Sequence, residues 1–171
     1  RVRGGAARCY NPRFSALPRR LLMRITRRLE FDAGHRIPNH ESQCRHLHGH
    51  RYAIEVTVSG DIVIAEGAAE QGMVADFSGV KSLVHKHIIE SWDHAFLAYA
   101  KDQVVVDFLH SIPGHRTVLF DAPPTAEHLS LVAFRLLEHA FAGAYGKRIC
   151  VERVRIYETP NCWADAVQGK I

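Results

Sequence analysis

The sequence predicts an α+β fold, with an antiparallel β-sheet and two helices packed on one face, from three observations. Segments 24–35 and 48–59 alternate apolar and polar side chains, as half-buried strands do. Two later segments, which begin near Asp76 and Thr125, carry apolar side chains at helical spacing. The 171 residues, 47% hydrophobic and 23% charged, are ordinary for one globular domain.

The two long strands carry three histidines with matching periodicity. His35 continues the apolar face of segment 24–35, and His48 and His50 share the apolar face of segment 48–59. Alternate side chains of a strand lie on one face. All three histidines are therefore expected on the covered side of one sheet if no bulge intervenes.

Shorter patterns predict the remaining elements. Residues 104–110 fit either a strand or a short helix. Thr125 is a good N-cap for the second helix, because its hydroxyl can accept a bond from a free backbone N–H. The other predicted elements are a loop over 36–47, a short strand over 73–75, a helix that starts at Asp76 or Ser78, a strand over 116–120 and a last strand over 149–158.

The net charge of +4 comes from the N-terminal segment. Six of the 22 basic residues are arginines within residues 1–22, which hold no acid, so the remaining 16 face 18 acidic residues. We expect residues 1–22 to be a disordered or non-native basic tail, with Met23 as a natural start and 23–171 as a single domain. A targeting presequence and a nucleic-acid-binding arm are the alternatives for the tail. Nucleic acid is not an expected partner of the domain.

The cellular compartment is predicted from what the sequence lacks. No apolar run approaches the roughly 18 residues that a membrane-spanning helix requires. The four cysteines show no paired spacing, and no secretory signal is visible. A cytoplasmic protein with reduced thiols is expected.

His48-Gly49-His50, together with His35 upstream, predicts a metal site. Two histidines at alternate strand positions lie close enough to hold one ion. Three imidazoles are a usual ligand set of catalytic zinc, with a position left for substrate. His46 shares the periodicity of His48 and is an alternative ligand.

Three further sites have open interpretations. Cys44 fits a buried structural thiol, a fourth zinc ligand that closes the site, or a thiolate base beside an open site. Asp93 and His94 fit either a helix end or a histidine that acts as acid and base beside a carboxylate. Glu158 continues the apolar face of its strand, and a buried carboxylate there needs paired N–H donors from an arginine or a ligand.

Several of these residues lie in motifs that follow one order from Met23 to the C-terminus. The motifs resemble the 6-pyruvoyl-tetrahydropterin synthase and 6-carboxytetrahydropterin synthase family. Three residues separate Cys44 from His48, which is similar to the 6-carboxytetrahydropterin synthases of queuosine biosynthesis, since the pyruvoyl enzymes usually have a longer gap. The resembling motifs are Phe31-Asp32-Ala33-Gly34-His35, Cys44 with His48-Gly49-His50, Asp76-Phe77, Trp92-Asp93-His94, Pro124-Thr125-Ala126-Glu127 and Tyr157-Glu158-Thr159.

The resemblance implies a tunnelling fold, in which sheets of several subunits join into a barrel. It also implies a homohexamer of two trimers, with active sites between subunits. The roles that it implies are zinc binding by His35, His48 and His50, proton acceptance by Cys44, a second acid/base pair of Asp93 and His94, and pterin anchoring by Glu158 with Thr125 and Glu127 nearby.

The activity implied by the resemblance is that of a zinc-dependent carbon–carbon lyase. Its substrate would be 7,8-dihydroneopterin triphosphate, and its products 6-carboxy-5,6,7,8-tetrahydropterin, acetaldehyde and triphosphate. A 6-pyruvoyl-tetrahydropterin synthase is the nearer alternative. The more distant one is a structural zinc module, in which Cys44 closes the metal site and the basic tail binds RNA.

Overall fold

In a computed structural model, which describes residues 22–169, six strands form one sheet in the order β4-β3-β1-β2-β5-β6. The strands are β1 (Met23–His35), β2 (His48–Gly60), β3 (Ala95–Tyr99), β4 (Thr117–Phe120), β5 (Ile149–Thr159) and β6 (Cys162–Val167). The helices are α1 (Phe77–Val84), which continues through a π-helical turn (His85–Ile89) into α2 (Glu90–Trp92), then α3 (Gln103–His110) and α4 (Ala126–Tyr145).

The predicted α+β class is confirmed, but the sheet is mixed rather than antiparallel. β1 pairs with β2, and β5 with β2 and β6, in antiparallel fashion. β3 is parallel to both β1 and β4. The parallel pairing follows from the connections between strands, since a helix that crosses over between neighbouring strands returns the chain in the same direction. α3 makes such a crossover between β3 and β4.

One local expectation is wrong, since residues 73–75 form no strand, although the Val63 N–H donates to the Met73 carbonyl at 2.8 Å. Residues 104–110, which fit either a strand or a short helix, lie in α3, so the sheet has a third helix beside it. β3 and β6 were not predicted. The predicted strand over 116–120 is confirmed as β4, and the N-cap at Thr125 is confirmed, since its hydroxyl accepts from the His128 N–H at 3.3 Å.

One face of the sheet is covered by helices. Val80 and Val84 of α1 and Leu129 and Leu137 of α4 are fully or almost fully buried in the main core cluster, which also contains Ile54 of β2. Burial of such aliphatic side chains stabilises the fold by roughly 1.5–3 kcal/mol each. The other face carries exposed charged side chains, among them Arg24, Arg28, Glu30 and Arg51.

The predicted tail, residues 1–22, lies outside the described residues except for Leu22. Within residues 22–169, no helix combines the length and the apolar character needed to cross a membrane.

The register between β1 and β2 is unbroken over the histidine end. His35 is opposite His48, and Ala33 is opposite His50. The one irregularity of β2 lies at Thr57 and Val58, in its pairing with β5, well away from the histidines. The expectation that the three histidines share one face is therefore confirmed.

Two glycines face each other across this end of the hairpin. Gly34 is opposite Gly49. A Cβ at Gly49 would lie 2.9 Å from the Ala33 carbonyl oxygen, which belongs to the backbone and cannot rotate away. A glycine is therefore required between the two histidines of β2.

We expect Gly49→Ala to lower the free energy of unfolding by about 1–3 kcal/mol, because β1 and β2 must separate slightly. Gly143→Ala is the matched control, since no atom lies within 4 Å of its added Cβ and it sits in α4. That change should stabilise the protein by about 0.5–1 kcal/mol. Urea denaturation measures the free energy of unfolding of both variants. Equal effects of the two changes would contradict the close approach of Gly49 to the Ala33 carbonyl.

Candidate metal centre and active site

The three imidazoles of His35, His48 and His50 converge at one end of β1 and β2. Their candidate ligand atoms all lie within 4.8 Å of one another. Ring centroids are separated by 4.5 Å, 5.1 Å and 4.9 Å. Within residues 22–169, this is the one group of three or more His, Cys, Asp or Glu donors with metal-ligand spacing. His46 is exposed and lies outside it.

Backbone carbonyls orient two of the rings. His35 Nδ1 lies 2.9 Å from the Pro124 carbonyl oxygen, and His48 Nδ1 lies 2.8 Å from the His46 carbonyl oxygen. A carbonyl only accepts, so each Nδ1 carries the proton and donates. The Nε2 atom of each neutral ring is then left with a lone pair. Such second hydrogen bonds are typical of metal-binding histidines.

The resulting donor set fits a cation. His35 Nε2 lies 3.0 Å from His48 Nε2 and 3.3 Å from Glu158 Oε1, so three acceptor atoms face one another. His50 Nε2 is buried and has no hydrogen-bond partner among the described residues. Lone pairs at these distances repel unless a positive charge lies among them, and a metal ion supplies that charge.

Burial keeps His35 and His50 neutral. Desolvation lowers the pKa of His35 to about 4, although the hydrogen bond to the Pro124 carbonyl acts in the opposite direction. Burial, and then the nearby His48, lowers the pKa of His50. At neutral pH both rings are therefore unprotonated, which is the form that binds a metal.

Glu158 joins the metal site to a neighbouring cavity. Its Oε1 atom lies 3.9 Å from His50 Nε2, in addition to its contact with His35. Burial raises the pKa of Glu158; His48 opposes this rise and Glu127 adds to it. The cavity, about 280 Å³, is lined by Ile37, His40, Cys44, Thr125, Ala126, Glu127, Glu158, Cys162 and Trp163.

Four of the predicted site residues thus line one cavity, namely Cys44, Thr125, Glu127 and Glu158. Cys44 is held on a closed loop, because the Ile37 N–H donates to the Cys44 carbonyl at 2.7 Å. Cys44 is not a member of the converging donor group, which consists of imidazoles alone.

His94 lines a different cleft, and Asp93 contacts its ring. His94 Nδ1 is 2.9 Å from Asp93 Oδ2, and the Asp32 N–H donates to Asp93 Oδ1 at 2.9 Å. Burial opposes ionisation of Asp93, yet the bonds from Asp32 and His94 hold the pKa of its carboxyl below the usual range. The cleft, about 640 Å³, is also lined by His48 and His50. It therefore adjoins the imidazole group.

Sequence reasoning missed two parts of the site. Tyr52 was not predicted as part of the site, but its ring lies 5.9 Å from that of His35 and 5.5 Å from that of His50, and its buried hydroxyl has no hydrogen-bond partner among the described residues. Pro124 acts through its backbone carbonyl, which every residue has, so the sequence cannot indicate this contact. The strand periodicity of Tyr52, shared with His48 and His50, was the available signal.

A mixed sheet with helices on one face and three histidines positioned at its end to hold a metal ion defines a class of α+β protein. Solved structures share this fold. An uncharacterized protein from Wolinella succinogenes aligns with a TM-score of 0.72 at 21% identity, covering 88% of this chain and 100% of that one. The 6-pyruvoyltetrahydropterin synthase of Plasmodium vivax aligns with a TM-score of 0.66 at 20% identity, with the same coverage.

Sequence comparison narrows the class to a family. The family model described as 6-pyruvoyl tetrahydropterin synthase matches residues 24–168. A relative from Rickettsia bellii, named 6-carboxy-5,6,7,8-tetrahydropterin synthase, is 34% identical over 145 residues, which are 84% of this chain and 99% of the relative. A relative of the same name from Haemophilus influenzae is 29% identical over 146 residues, with 84% and 98% coverage. The chain belongs to the 6-pyruvoyl tetrahydropterin synthase family.

The lowered pKa of His35 predicts acid sensitivity of the metal-free protein. Between pH 6.5 and about 4 the unfolded state binds more protons than the folded state, so the stability that His35 contributes is lost as pH falls through this range. We expect the free energy of unfolding to drop by up to roughly 3 kcal/mol over that interval. Urea titrations of the metal-free protein at several pH values measure it.

His35→Asn is the control for this prediction, because an asparagine amide can still donate to the Pro124 carbonyl but does not titrate. Its stability should fall less steeply below pH 6.5. An equally steep fall in this variant would show that other groups cause the acid sensitivity.

Proposed function

We propose that the protein is a zinc-dependent carbon–carbon lyase that converts 7,8-dihydroneopterin triphosphate to 6-carboxy-5,6,7,8-tetrahydropterin, with release of acetaldehyde and triphosphate. The reaction would belong to queuosine (7-deazaguanine) biosynthesis. The single observation that carries the proposal is the convergence of three imidazoles beside a cavity that contains both Cys44 and Glu158. The names of the relatives from Rickettsia bellii and Haemophilus influenzae support the product.

Zinc is the proposed metal, held by His35, His48 and His50. Three imidazole nitrogens and no thiolate are a ligand set of catalytic rather than structural zinc. Bound zinc supplies Lewis acidity, which makes the hydroxyl and adjacent C–H protons of the substrate side chain more acidic. The histidines themselves contribute a neutral, pre-oriented site, since two rings are fixed by backbone carbonyls.

Glu158 is the proposed anchor of the pterin ring. Its half-buried carboxylate lacks paired N–H donors, and an amino-pyrimidine edge offers two in parallel. Such bonds would offset the desolvation that raises the pKa of Glu158. The anchor fixes the ring so that the reactive side chain lies beside the metal site. Thr125 and Glu127 line the same cavity and are assigned to the same binding site.

Cys44 and His94 are the proposed proton carriers. Cys44 accepts a proton from the substrate side chain within the cavity that it shares with Glu158. The ionised Asp93 accepts a hydrogen bond from His94 Nδ1–H, so Nε2 of this ring is available to take or return a proton.

The proposal includes a homohexamer of two trimers, with the sheets joined into a barrel and active sites between subunits. In the single chain, β4 and β6 are the edge strands of the sheet. Unpaired strand edges favour pairing with another chain. The side chain of His94 is 74% exposed in an open cleft, so it is accessible to the site of a neighbouring subunit.

A 6-pyruvoyl-tetrahydropterin synthase remains the second candidate, because the matching family model and the Plasmodium vivax structure bear that name. Product analysis separates the two. Incubation of the zinc-loaded protein with 7,8-dihydroneopterin triphosphate should yield acetaldehyde and the 6-carboxy product. Formation of the pyruvoyl product without acetaldehyde would favour the second candidate, and no turnover of the substrate would contradict both.

Cys44→Ala should lower kcat by about 10²-fold or more, because a proton acceptor is lost, while the zinc content stays at that of the parent protein. Cys162→Ala is the matched control, since Cys162 lines the same cavity as a free thiol. That variant should keep its turnover. Steady-state kinetics and metal analysis measure both, and full activity of Cys44→Ala with zinc bound would rule out Cys44 as the base.

Glu158→Gln should raise KM about tenfold or more, because the amide cannot accept two N–H bonds as a carboxylate does. Burial disfavours the ionised carboxyl, so the variant should not lose folding stability. Glu152→Gln, on the same strand but bonded to Arg24 and Ser59, is the control and should leave KM unchanged. Lost stability with an unchanged KM in Glu158→Gln would indicate a structural role instead.

A further inference from the structure

A second cavity borders the loop that carries Cys44. It measures about 530 Å³ and is lined by Arg36, Pro38, Asn39, His40, Glu41, Arg45 and His46. His40 lines both this cavity and the one that contains Glu158. The two cavities are therefore neighbours on one loop, with His40 at their junction.

The cation of Arg45 is available for a ligand. Among residues 22–169, Arg45 makes no ion pair, and the one side chain that it contacts by a hydrogen bond is His46, at 3.5 Å from Nε to Nε2. Arg36 differs, because its guanidinium makes bonds of 2.6 Å and 3.0 Å to the buried Asp102. That pair anchors the start of the loop and leaves Arg45 as the uncompensated arginine of the cavity.

His40 adds a neutral donor. The Ser42 N–H donates to His40 Nδ1 at 3.1 Å, so this nitrogen holds a lone pair and the neutral ring carries its proton on Nε2. The second cavity thus combines an unpaired guanidinium with an imidazole N–H. Glu41, the one acid that lines it, is exposed.

The other cavities are less suited to a polyanion. The cavity of Glu158 also contains Glu127, so two carboxylates line it. In the cleft of His94, the one arginine that lines it is already paired, since Arg51 lies 2.8 Å from Glu30. A triphosphate is stabilised by guanidinium N–H donors that are free to make charge-assisted bonds.

We propose that the cavity of Arg45 and His40 binds the triphosphate of the substrate, an inference that rests on the proposed function. The substrate carries its pterin ring and its triphosphate at opposite ends of a short side chain. A ring anchored at Glu158 directs the side chain along the Cys44 loop, and the chain passes His40 into the basic cavity. Arg45 then holds the phosphate end while the side chain stays beside Cys44.

The test compares two ligands, 7,8-dihydroneopterin triphosphate and 7,8-dihydroneopterin, which lacks the phosphates. Binding is measured by calorimetry in the full-length, metal-loaded Cys44→Ala protein, so that turnover does not interfere. In that background, Arg45→Gln should weaken binding of the triphosphate about tenfold or more and leave the affinity for dihydroneopterin unchanged. Higher ionic strength should reduce the difference between the ligands, since an exposed cation is screened by salt.

Two matched variants sharpen the comparison. Arg51→Gln removes an arginine from the cleft of His94 and should change neither affinity. Glu41→Gln removes the acid of the basic cavity and should strengthen triphosphate binding several-fold, because like charges repel.

The outcomes separate this inference from the proposed function. Equal affinity of the Cys44→Ala protein for both pterins would overturn the phosphate subsite alone. The same conclusion would follow if Arg51→Gln weakened triphosphate binding as much as Arg45→Gln does. Equal losses for both ligands in Arg45→Gln would mean that Arg45 acts on the shape of the loop. If neither pterin binds the Cys44→Ala protein, both the proposed function and the phosphate subsite are wrong.

Discussion

The antiparallel register between β1 and β2 is the constraint on which the site depends. It sets His35 opposite His48 and Ala33 opposite His50, so three imidazoles from two strands meet on the helix-covered face. A slip of one residue would move one strand's histidines to the charged face and destroy the group. The opposed glycines at Gly34 and Gly49 allow the two strands to approach closely at this point.

The site combines buried imidazole rings with a set of acceptor atoms that repel one another unless a positive charge lies among them. His35 and His50 are desolvated enough to lose their protons, and Nδ1 of His35 and of His48 donates to a backbone carbonyl. The remaining Nε2 lone pairs and the Glu158 carboxylate then face one another without a donor among them. Buried acceptors without partners are costly. A cation bound by the three histidines would remove that cost, so the proposed metal site would link metal binding to folding stability.

The alternation of apolar and polar side chains made the central strands β1 and β2 predictable. The edge strands depend on tertiary pairing, which the local sequence does not show. The alternation in segments 24–35 and 48–59 was sufficient to bring His35, His48 and His50 together. β3 is short and lacks alternation, because three of its five residues are buried, and its parallel pairing with β1 depends on a helical crossover. The position of His94 in a separate cleft follows from that pairing and from its left-handed backbone, with φ of 55°. No local pattern encodes either feature.

The hydrogen bond from His35 ends on the main chain at Pro124, directly before Thr125 caps α4. A carbonyl oxygen is present whatever side chain the residue carries. Substitutions at Thr125 and Glu127 can therefore reshape the cavity that they line without removing the acceptor that orients the His35 ring. Under the proposed function, evolution or an engineer could alter which ring system the protein accepts and still inherit an intact ion-binding scaffold.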